Sequence, residues 1–379
     1  MLAAVCATAG SAATDFAAPL QPSASLAIQV DGQLTEPVWN QAQVQRASAF
    51  ADWQVPGAGS GIEGAFQTRG VVLVPEDLAG AEWPARAARA GLTAVALHDG
   101  PSLEHVVELI DSPAGREFLD SCSRLGLHVE YELHAMHELL PRELFAKEPD
   151  LFRMNDQGRR TPDANLCVHS ERALEIVATN APRLARQLQP TTSRYFFGGD
   201  DGLPWCRCAR CRGLSDSDQA LILENRLVQE LRAMDPDAQL AYLAYANTMP
   251  APSKVKPGRG VFLEFAPIRR RYDVPYAQQT GPETKDTLAM LEENLRVFPA
   301  ATAEALEYWL DASRFSQWKR PAVEVPWRRE VFAADARSYA AAGIRHITTF
   351  AVWVDRGYLK RFGEPAAVQE YGELLRHSG

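Results

Sequence analysis

The sequence predicts an α/β protein: a (β/α)8 TIM barrel that follows a short N-terminal appendage. Over residues 61–379, short β-rich runs alternate with amphipathic helical segments, which is typical of parallel βα units. The β-rich runs number eight, as the strands of such a barrel do. A doubly wound open sheet is the main alternative. The strand count and the lack of a glycine-rich phosphate loop both weigh against that alternative.

The predicted strands are, in chain order, Gly70–Val74, Thr93–Leu97, His128–Leu133, Tyr195–Gly199, Gln239–Tyr245, Gly260–Phe265, Ala305–Leu310 and His346–Trp353. Helical patterns lie between most of them, at Pro84–Ala90, Arg116–Leu125, Leu174–Leu188, Gln219–Met234, Thr284–Val297 and Arg328–Ala342. The segment between the third and fourth strands, Met136–Thr192, contains only one clear helix. We expect the rest of this segment to form a large insertion that shapes a binding site at the barrel mouth.

Residues 1–60 form the predicted appendage, which ends in a linker rich in glycine and proline. The small, apolar start, Met1–Ala13, is either the remnant of an export signal or a flexible terminus, since it has no basic region. An exported protein would lie in the periplasm or outside the cell, and a cytoplasmic location is the alternative. Residues 61–379 form the barrel.

Composition limits the partners of this chain. Its 39 basic and 48 acidic side chains give a formal net charge of −9, which argues against nucleic acid or an anionic membrane as the main partner. No apolar run is long enough for a membrane span, which needs about 18–20 residues. Hydrophobic residues make up 46% of the chain, as in folded proteins, so global disorder is excluded. The oligomeric state is not predicted.

Two acidic residues stand out at the carboxyl ends of the predicted strands, where barrels of this kind carry their chemistry. Asp201 lies in a glycine-rich turn after the fourth strand, and Glu307 lies within an apolar run of the seventh. A pair of carboxylates is the minimum for glycoside hydrolysis, so we predict that these two are catalytic. The alternatives are a turn-forming role for Asp201 and a buried ion pair for Glu307, with a partner such as Arg345.

Other polar and aromatic residues near these strand ends are predicted to bind a glycan, because flat rings stack on sugars and polar groups bind hydroxyls. They are Asp200, His134, His137, Trp205, Tyr245, Asn247, Glu264, Trp309, Asp311 and Trp353. Barrel packing is the alternative for the tryptophans. Arg269, Arg270 and Arg271 follow the sixth strand and either hold an anionic group or form surface salt bridges. No cofactor is needed for catalysis by two carboxylates.

Three cysteines, Cys206, Cys208 and Cys211, fall within six residues. With Cys167 or a histidine as a fourth ligand they can hold a structural zinc ion, and the alternative is a disulfide with a spare thiol. A catalytic metal bound through His134 and His137 is a further alternative, although their spacing is not that of zinc peptidases.

Three stretches resemble a barrel domain of unassigned function found in bacterial glycosidase-like proteins and related to the family-163 glycoside hydrolases. These are Glu148–Phe152 with Gly158–Arg160 and Asn165–Cys167, the turn from Asp200 through Cys211, and Leu240–Tyr245 with Pro250. The resemblance implies a (β/α)8 fold and, for characterised relatives, endo-β-N-acetylglucosaminidase action on N-glycans. It implies that Asp201 takes the acid position, whereas Asp200 replaces an asparagine and Glu307 replaces an aspartate.

Near the start, Asp31–Trp39 is similar to the opening of family-9-like carbohydrate-binding modules, of which only the opening is present. The predicted function is a glycoside hydrolase that acts on a β-linked glycan, with a GlcNAc-containing glycan as one candidate substrate. Asp201 would be the general acid/base, and Glu307 the nucleophile or the carboxylate that stabilises an oxazolinium ion. In the second case the 2-acetamido group of the substrate attacks. The alternative from another class is a glycan-binding barrel without catalysis.

Overall fold

The computed structural model describes residues 66–100, 103–280 and 285–377. The predicted appendage, residues 1–60, lies outside the described residues, together with its export remnant and its piece that resembles a carbohydrate-binding module.

Eight parallel strands of the described chain close into a barrel in chain order. They are β1 Thr68–Leu73, β2 Ala94–Leu97, β3 His128–His134, β4 Arg194–Gly198, β5 Gln239–Ala244, β6 Val261–Phe265, β7 Glu304–Glu307 and β8 His346–Phe350. Strand β1 closes the barrel, because Val71 pairs with Val95 of β2 on one side and with Thr349 of β8 on the other. The predicted fold class is confirmed.

Helices connect the strands and cover the outside of the barrel. They are α1 Trp83–Ala90, α2 Glu104–Asp111, α3 Pro113–Arg124, α4 Met136–Leu139, α5 Glu171–Gln187, α6 Asp216–Met234, α7 Lys285–Leu295, α8 Ala312–Phe315, α9 Arg329–Ala341, α10 Arg356–Phe362 and α11 Ala366–His377. Short 3₁₀ turns lie at Pro75–Leu78, Arg142–Ala146, Pro149–Leu151, Ala246–Thr248 and Tyr276–Gln278. None of the helices described has both the length and the apolar character that a membrane crossing requires.

Alternation along each strand decides which side chains reach the barrel interior. In β7, Glu304 is hydrogen-bonded inside the barrel to Thr348 of β8, at 2.8 Å. Glu307 faces the opposite way and accepts a hydrogen bond from Tyr339 of α9. Glu304 and Glu307 are three positions apart, so they lie on opposite faces of β7, and Glu307 points away from the barrel interior.

A layer of charged side chains fills the barrel interior. Arg194 of β4 donates to Glu304 at 2.9 Å and lies 3.9 Å from Glu130 of β3, and all three side chains are buried. The guanidinium also lies over the ring of Phe262, 3.8 Å from its centroid. The buried guanidinium of Arg194 therefore pairs with two buried carboxyl groups.

The long segment between β3 and β4 forms the predicted insertion. After α4 come two 3₁₀ turns, and isolated bridges pair Phe152 with Leu166 and Met154 with Arg160. Asn165, fully buried, links this insertion to the turn after β4, where its Oδ1 accepts from the backbone N–H of Asp200 at 2.9 Å. The insertion thus helps to shape the mouth of the barrel.

Candidate active site

A cavity of about 370 Å³ is bounded by residues at the carboxyl ends of the strands and the loops that follow. Side chains that face the barrel interior line it, among them His98, which directly follows β2, His134 of β3 and Phe350 of β8. Six of the predicted site residues line it: His134, Asp201, Tyr245, Glu264, Asp311 and Trp353. The end of the barrel that the sequence indicates therefore contains a cavity.

Asp201 lies in the turn that follows β4. Gly202 allows this turn, because its backbone adopts a φ of 58°, in the left-handed region. The Asp201 carboxylate is 56% exposed, and its Oδ1 lies 3.7 Å from Nε2 of His134. Nδ1 of His134 lies 3.0 Å from the carbonyl oxygen of Gly199 and donates to it, which leaves Nε2 directed at Asp201. Asp201 is thus an accessible carboxylate beside a fixed imidazole.

Tyr245 and His98 line the same cavity in neutral form. Burial, reinforced by the charge of Asp201, raises the pKa of Tyr245. Burial and the neighbouring His134 lower the pKa of His98 to about 4. Nδ1 of His98 lies 2.7 Å from the carbonyl oxygen of Glu132 and donates to it, so its Nε2 is an acceptor at neutral pH. His98 was not among the predicted ligand residues, although its place after the second strand was a signal.

Two buried glutamates, Glu132 of β3 and Glu264 of β6, also line the cavity. Burial, and then the charge of Glu264, raises the pKa of Glu132 well above its usual range. Burial, and then the charge of Glu304, does the same for Glu264. Neither carboxyl oxygen of Glu132 has a hydrogen-bond partner among the described residues. Sequence reasoning missed Glu132, and acids at alternate positions of a buried strand were the available signal.

The aromatic lining includes Tyr308, Phe350, Trp318 and Trp353. Tyr308 and Phe350 stack with centroids 5.1 Å apart, while Trp318 is largely exposed. Arg320 lies over the ring of Trp353 at 4.5 Å. Such a wall offers flat apolar faces to a sugar ring.

Glu307 does not line the cavity, and the prediction that it acts on a substrate is corrected. Its side chain is fully buried behind the barrel wall, where Nε of Arg270 lies 3.1 Å from Oε2. The hydroxyls of Tyr272 and Tyr339 donate to its two oxygens at 2.8 and 2.6 Å. Burial raises the pKa of Glu307, and Arg270 opposes that rise. Glu307 is therefore part of a buried ion pair, with Arg270 rather than Arg345 as its partner.

Trp309 is likewise corrected. Its ring is buried on the outer face of the barrel, where Nε1 donates to Asp335 of α9 at 3.1 Å and Phe332 packs edge-on against it at 4.8 Å. Trp309 therefore packs on the barrel and does not bind a ligand. It directly follows Tyr308, which lines the cavity, and neighbouring side chains point to opposite sides.

The remaining predicted ligand residues lie outside the main cavity. Asp200, Trp205 and Asn247 line a small neighbouring pocket of about 20 Å³. Asp200 is held by Nη2 of Arg142, at 2.6 Å, and Trp205 is buried. His137 is exposed on α4 and does not line the cavity. Within the described chain, neither His134 nor His137 belongs to a cluster of three or more side chains able to bind a metal ion, so no such group supports the metal-dependent alternative.

The four predicted metal-binding cysteines do come together. Cys167 reaches Cys206, Cys208 and Cys211 from the insertion, and all four sulfur atoms lie within 4.8 Å of one another. The five described cysteines are all free thiols.

Comparisons with known proteins agree with the fold. Residues 116–297 match the family model described as a domain of unknown function (DUF4838). This match agrees with the predicted barrel domain of unassigned function. The relation to family-163 hydrolases and the similarity to a carbohydrate-binding module remain predictions. A search of the curated proteins found no match.

Solved glycosidases share the barrel. A β-N-acetylhexosaminidase from Bacteroides fragilis is 13% identical, with a TM-score of 0.54 over 83% of this chain and 66% of that one. The GH42 β-galactosidase Gan42B from G. stearothermophilus is 12% identical, with a TM-score of 0.52 over 82% and 57% of the two chains. A β-galactosidase from Marinomonas ef1 is also 12% identical, with a TM-score of 0.50 over 82% and 59%. The chain thus spans roughly three-fifths of the length of these structures, and the barrel has a fold found in glycoside hydrolases.

Proposed function

We propose that the chain is a glycoside hydrolase that acts on a β-linked glycan containing N-acetylglucosamine, with Asp201 as the general acid/base. The observation that carries the proposal is the accessible carboxylate of Asp201 beside His134, in a cavity lined by aromatic rings. Breaking a glycosidic bond requires a proton on the leaving oxygen, and a positioned carboxyl group that a substrate can reach supplies it.

Asp311 is the second carboxyl group in this proposal, in place of Glu307. It follows β7, lines the cavity, and caps α8 by accepting from the N–H of Arg314 at 3.1 Å. The hydroxyl of Ser313 donates to the same oxygen, Oδ1, at 2.5 Å, so the side chain is held in one orientation. Burial raises the pKa of Asp311, and its hydrogen bonds with Ser313 and Arg314 oppose that rise. A fixed carboxyl of this kind either attacks the sugar itself or orients and stabilises the group that does.

The attacking group is either Asp311 itself or the 2-acetamido carbonyl of the substrate. In both cases the charge that develops on the sugar is positive, and a second carboxylate that lines the same cavity as Asp201 stabilises it. Trp353 and Tyr308 supply apolar surfaces for the ring, and Glu264 and Glu132 bind hydroxyls below it. None of these steps uses a cofactor.

Replacing Asp201 by asparagine is expected to lower kcat/KM by about 100-fold or more, because the amide cannot donate or accept the catalytic proton. The measurement is glycan release from N-glycoproteins and from β-linked oligosaccharides, followed by mass spectrometry. The matched control is Asp120→Asn, which changes an exposed aspartate of α3. Asp311→Asn should also lower the rate, whereas Glu307→Gln should retain activity in the fraction that folds.

Equal rates for Asp201→Asn and the wild type would contradict the assignment. Glycan binding without any product would favour the non-catalytic barrel. The observation that favours a non-catalytic barrel is that two of the predicted site acids are held in salt bridges, Asp200 with Arg142 and Glu307 with Arg270.

A further inference from the structure

We propose that Cys167, Cys206, Cys208 and Cys211 bind one structural Zn²⁺ ion, which fastens the β3–β4 insertion to the loop after β4. All four thiols are buried, and each offers a sulfur to the same small volume.

The distances between the sulfur atoms fit a tetrahedral zinc site. Sγ of Cys167 lies 3.9 Å from that of Cys208 and 3.8 Å from that of Cys211. A tetrahedron with Zn–S bonds of about 2.3 Å has edges of about 3.8 Å. A disulfide would bring two sulfur atoms to about 2.05 Å. These two distances match zinc ligands and not a disulfide, and the other pairs of sulfur atoms lie within 4.8 Å of each other.

Nitrogen donors contact two of the four sulfur atoms, as they do around thiolate ligands of a metal. The backbone N–H of Met154 donates to Sγ of Cys206 at 3.3 Å, and Nη1 of Arg160 lies 3.6 Å from the same sulfur. Nδ1 of His169 lies 3.1 Å from Sγ of Cys211. Four thiolates around one Zn²⁺ leave a net charge of −2, and donors of this kind offset that charge.

The donor set also selects the metal. Four soft thiolates in a closed, buried tetrahedron suit Zn²⁺ and disfavour Mg²⁺ or Ca²⁺, which prefer oxygen ligands. With every position taken by sulfur, the ion has no open site for a substrate, so its role is structural.

The site is coupled to the turn that carries Asp201. Asn165, two residues before Cys167, accepts from the N–H of Asp200 and donates to the carbonyl oxygen of Leu203 at 3.1 Å. On the other side, the N–H of Cys206 donates to Gln219 of α6 at 3.1 Å. The ion therefore positions the turn from both ends. Its effect on catalysis rests on the proposed function, whereas metal binding does not.

The experiment measures the zinc content of the purified chain, residues 1–379, by inductively coupled plasma mass spectrometry. We expect one zinc per chain in the wild type and background levels in the double variant Cys206→Ser/Cys208→Ser. Cys122→Ser is the matched control, since it removes a buried thiol of α3 outside the cluster and should retain the zinc. The double variant should also unfold at a lower temperature than this control.

A measurement on the wild type covers the case in which the double variant does not fold. Protein prepared with Co²⁺ should show the intense thiolate-to-cobalt absorption of a tetrahedral sulfur site. Wild-type protein without zinc, disulfides among the four cysteines, or an iron–sulfur spectrum would overturn the proposal. Asp201→Asn should keep its zinc, so loss of the proposed activity and loss of the metal are separate results.

Discussion

Replacing Arg270 by methionine is expected to lower the free energy of unfolding by about 3–5 kcal/mol, because it leaves buried carboxylates without their cation. Arg270 is fully buried and pairs with both Glu307 and Asp335. Its guanidinium also lies over the ring of Tyr272, 4.4 Å from the centroid. Methionine fills much of the volume and supplies no charge, so the loss measures the ion pairs together with the contact between the guanidinium and the Tyr272 ring. Urea unfolding at neutral pH provides the free energy.

Arg271→Met is the matched control. The neighbouring arginine is exposed and pairs with Asp273 at the surface, where solvent screens the interaction, so a much smaller effect is expected. Adding Glu307→Gln to the Arg270 variant should recover part of the loss, because it removes one of the unpaired charges. Equal stabilities of the Arg270 and Arg271 variants would show that the buried pairs contribute nothing.

Replacing Arg194 by methionine should have an effect of similar size, about 3–5 kcal/mol at pH 8. This arginine is the cation of the charged layer in the barrel interior, and Glu130 and Glu304 depend on it. Arg183→Met, on the exposed face of α5, is the control for the substitution itself. A loss no larger than that of the control would contradict the role assigned to the layer.

The destabilisation by Arg194→Met should decrease as the pH falls. Burial, then the charge of Glu304, raises the pKa of Glu130 to about 7 in the folded chain, with Arg194 opposing the rise. The pKa of a glutamate in the unfolded chain is about 4.3. Between about pH 4.3 and pH 7 the folded chain therefore binds more protons at Glu130 than the unfolded chain does, and its free energy of unfolding falls as the pH rises. Without Arg194 the folded pKa of Glu130 rises further, which extends that loss to higher pH. Unfolding curves at pH 5, 6, 7 and 8 test this, and a penalty independent of pH would contradict it.

The barrel was predictable because its signal is repeated. Eight apolar runs separated by helical patterns give the strand number and order, and a parallel barrel places all the strand ends at one mouth. Asp201, Tyr245 and Asp311 could be placed there from topology alone. The bounds moved by a few residues, since the predicted run Ala305–Leu310 continues beyond the last paired residue, Glu307.

The orientation of β7 was not predictable from the sequence. Both of its faces are buried, so the residues around Glu307 are apolar on either side and no alternation marks the interior. The partner of Glu307 also comes from a distant loop, and only the folded chain brings Arg270 behind the strand. Cysteine spacing was more informative, because Cys206, Cys208 and Cys211 are close in sequence and must be close in space.

The two faces of β7 also restrict how this chain can change in length. One inserted or deleted residue ahead of Glu307 would exchange the faces, so that Glu307 enters the cavity while Tyr308 leaves it. The same event would take Glu307 away from Arg270 and leave Asp335 as the remaining member of its carboxylate pair, so the gain of an acid in the cavity would be accompanied by a loss of stability. We therefore expect homologous chains to vary in length in the loops that flank β7 and to keep the number of residues within it constant.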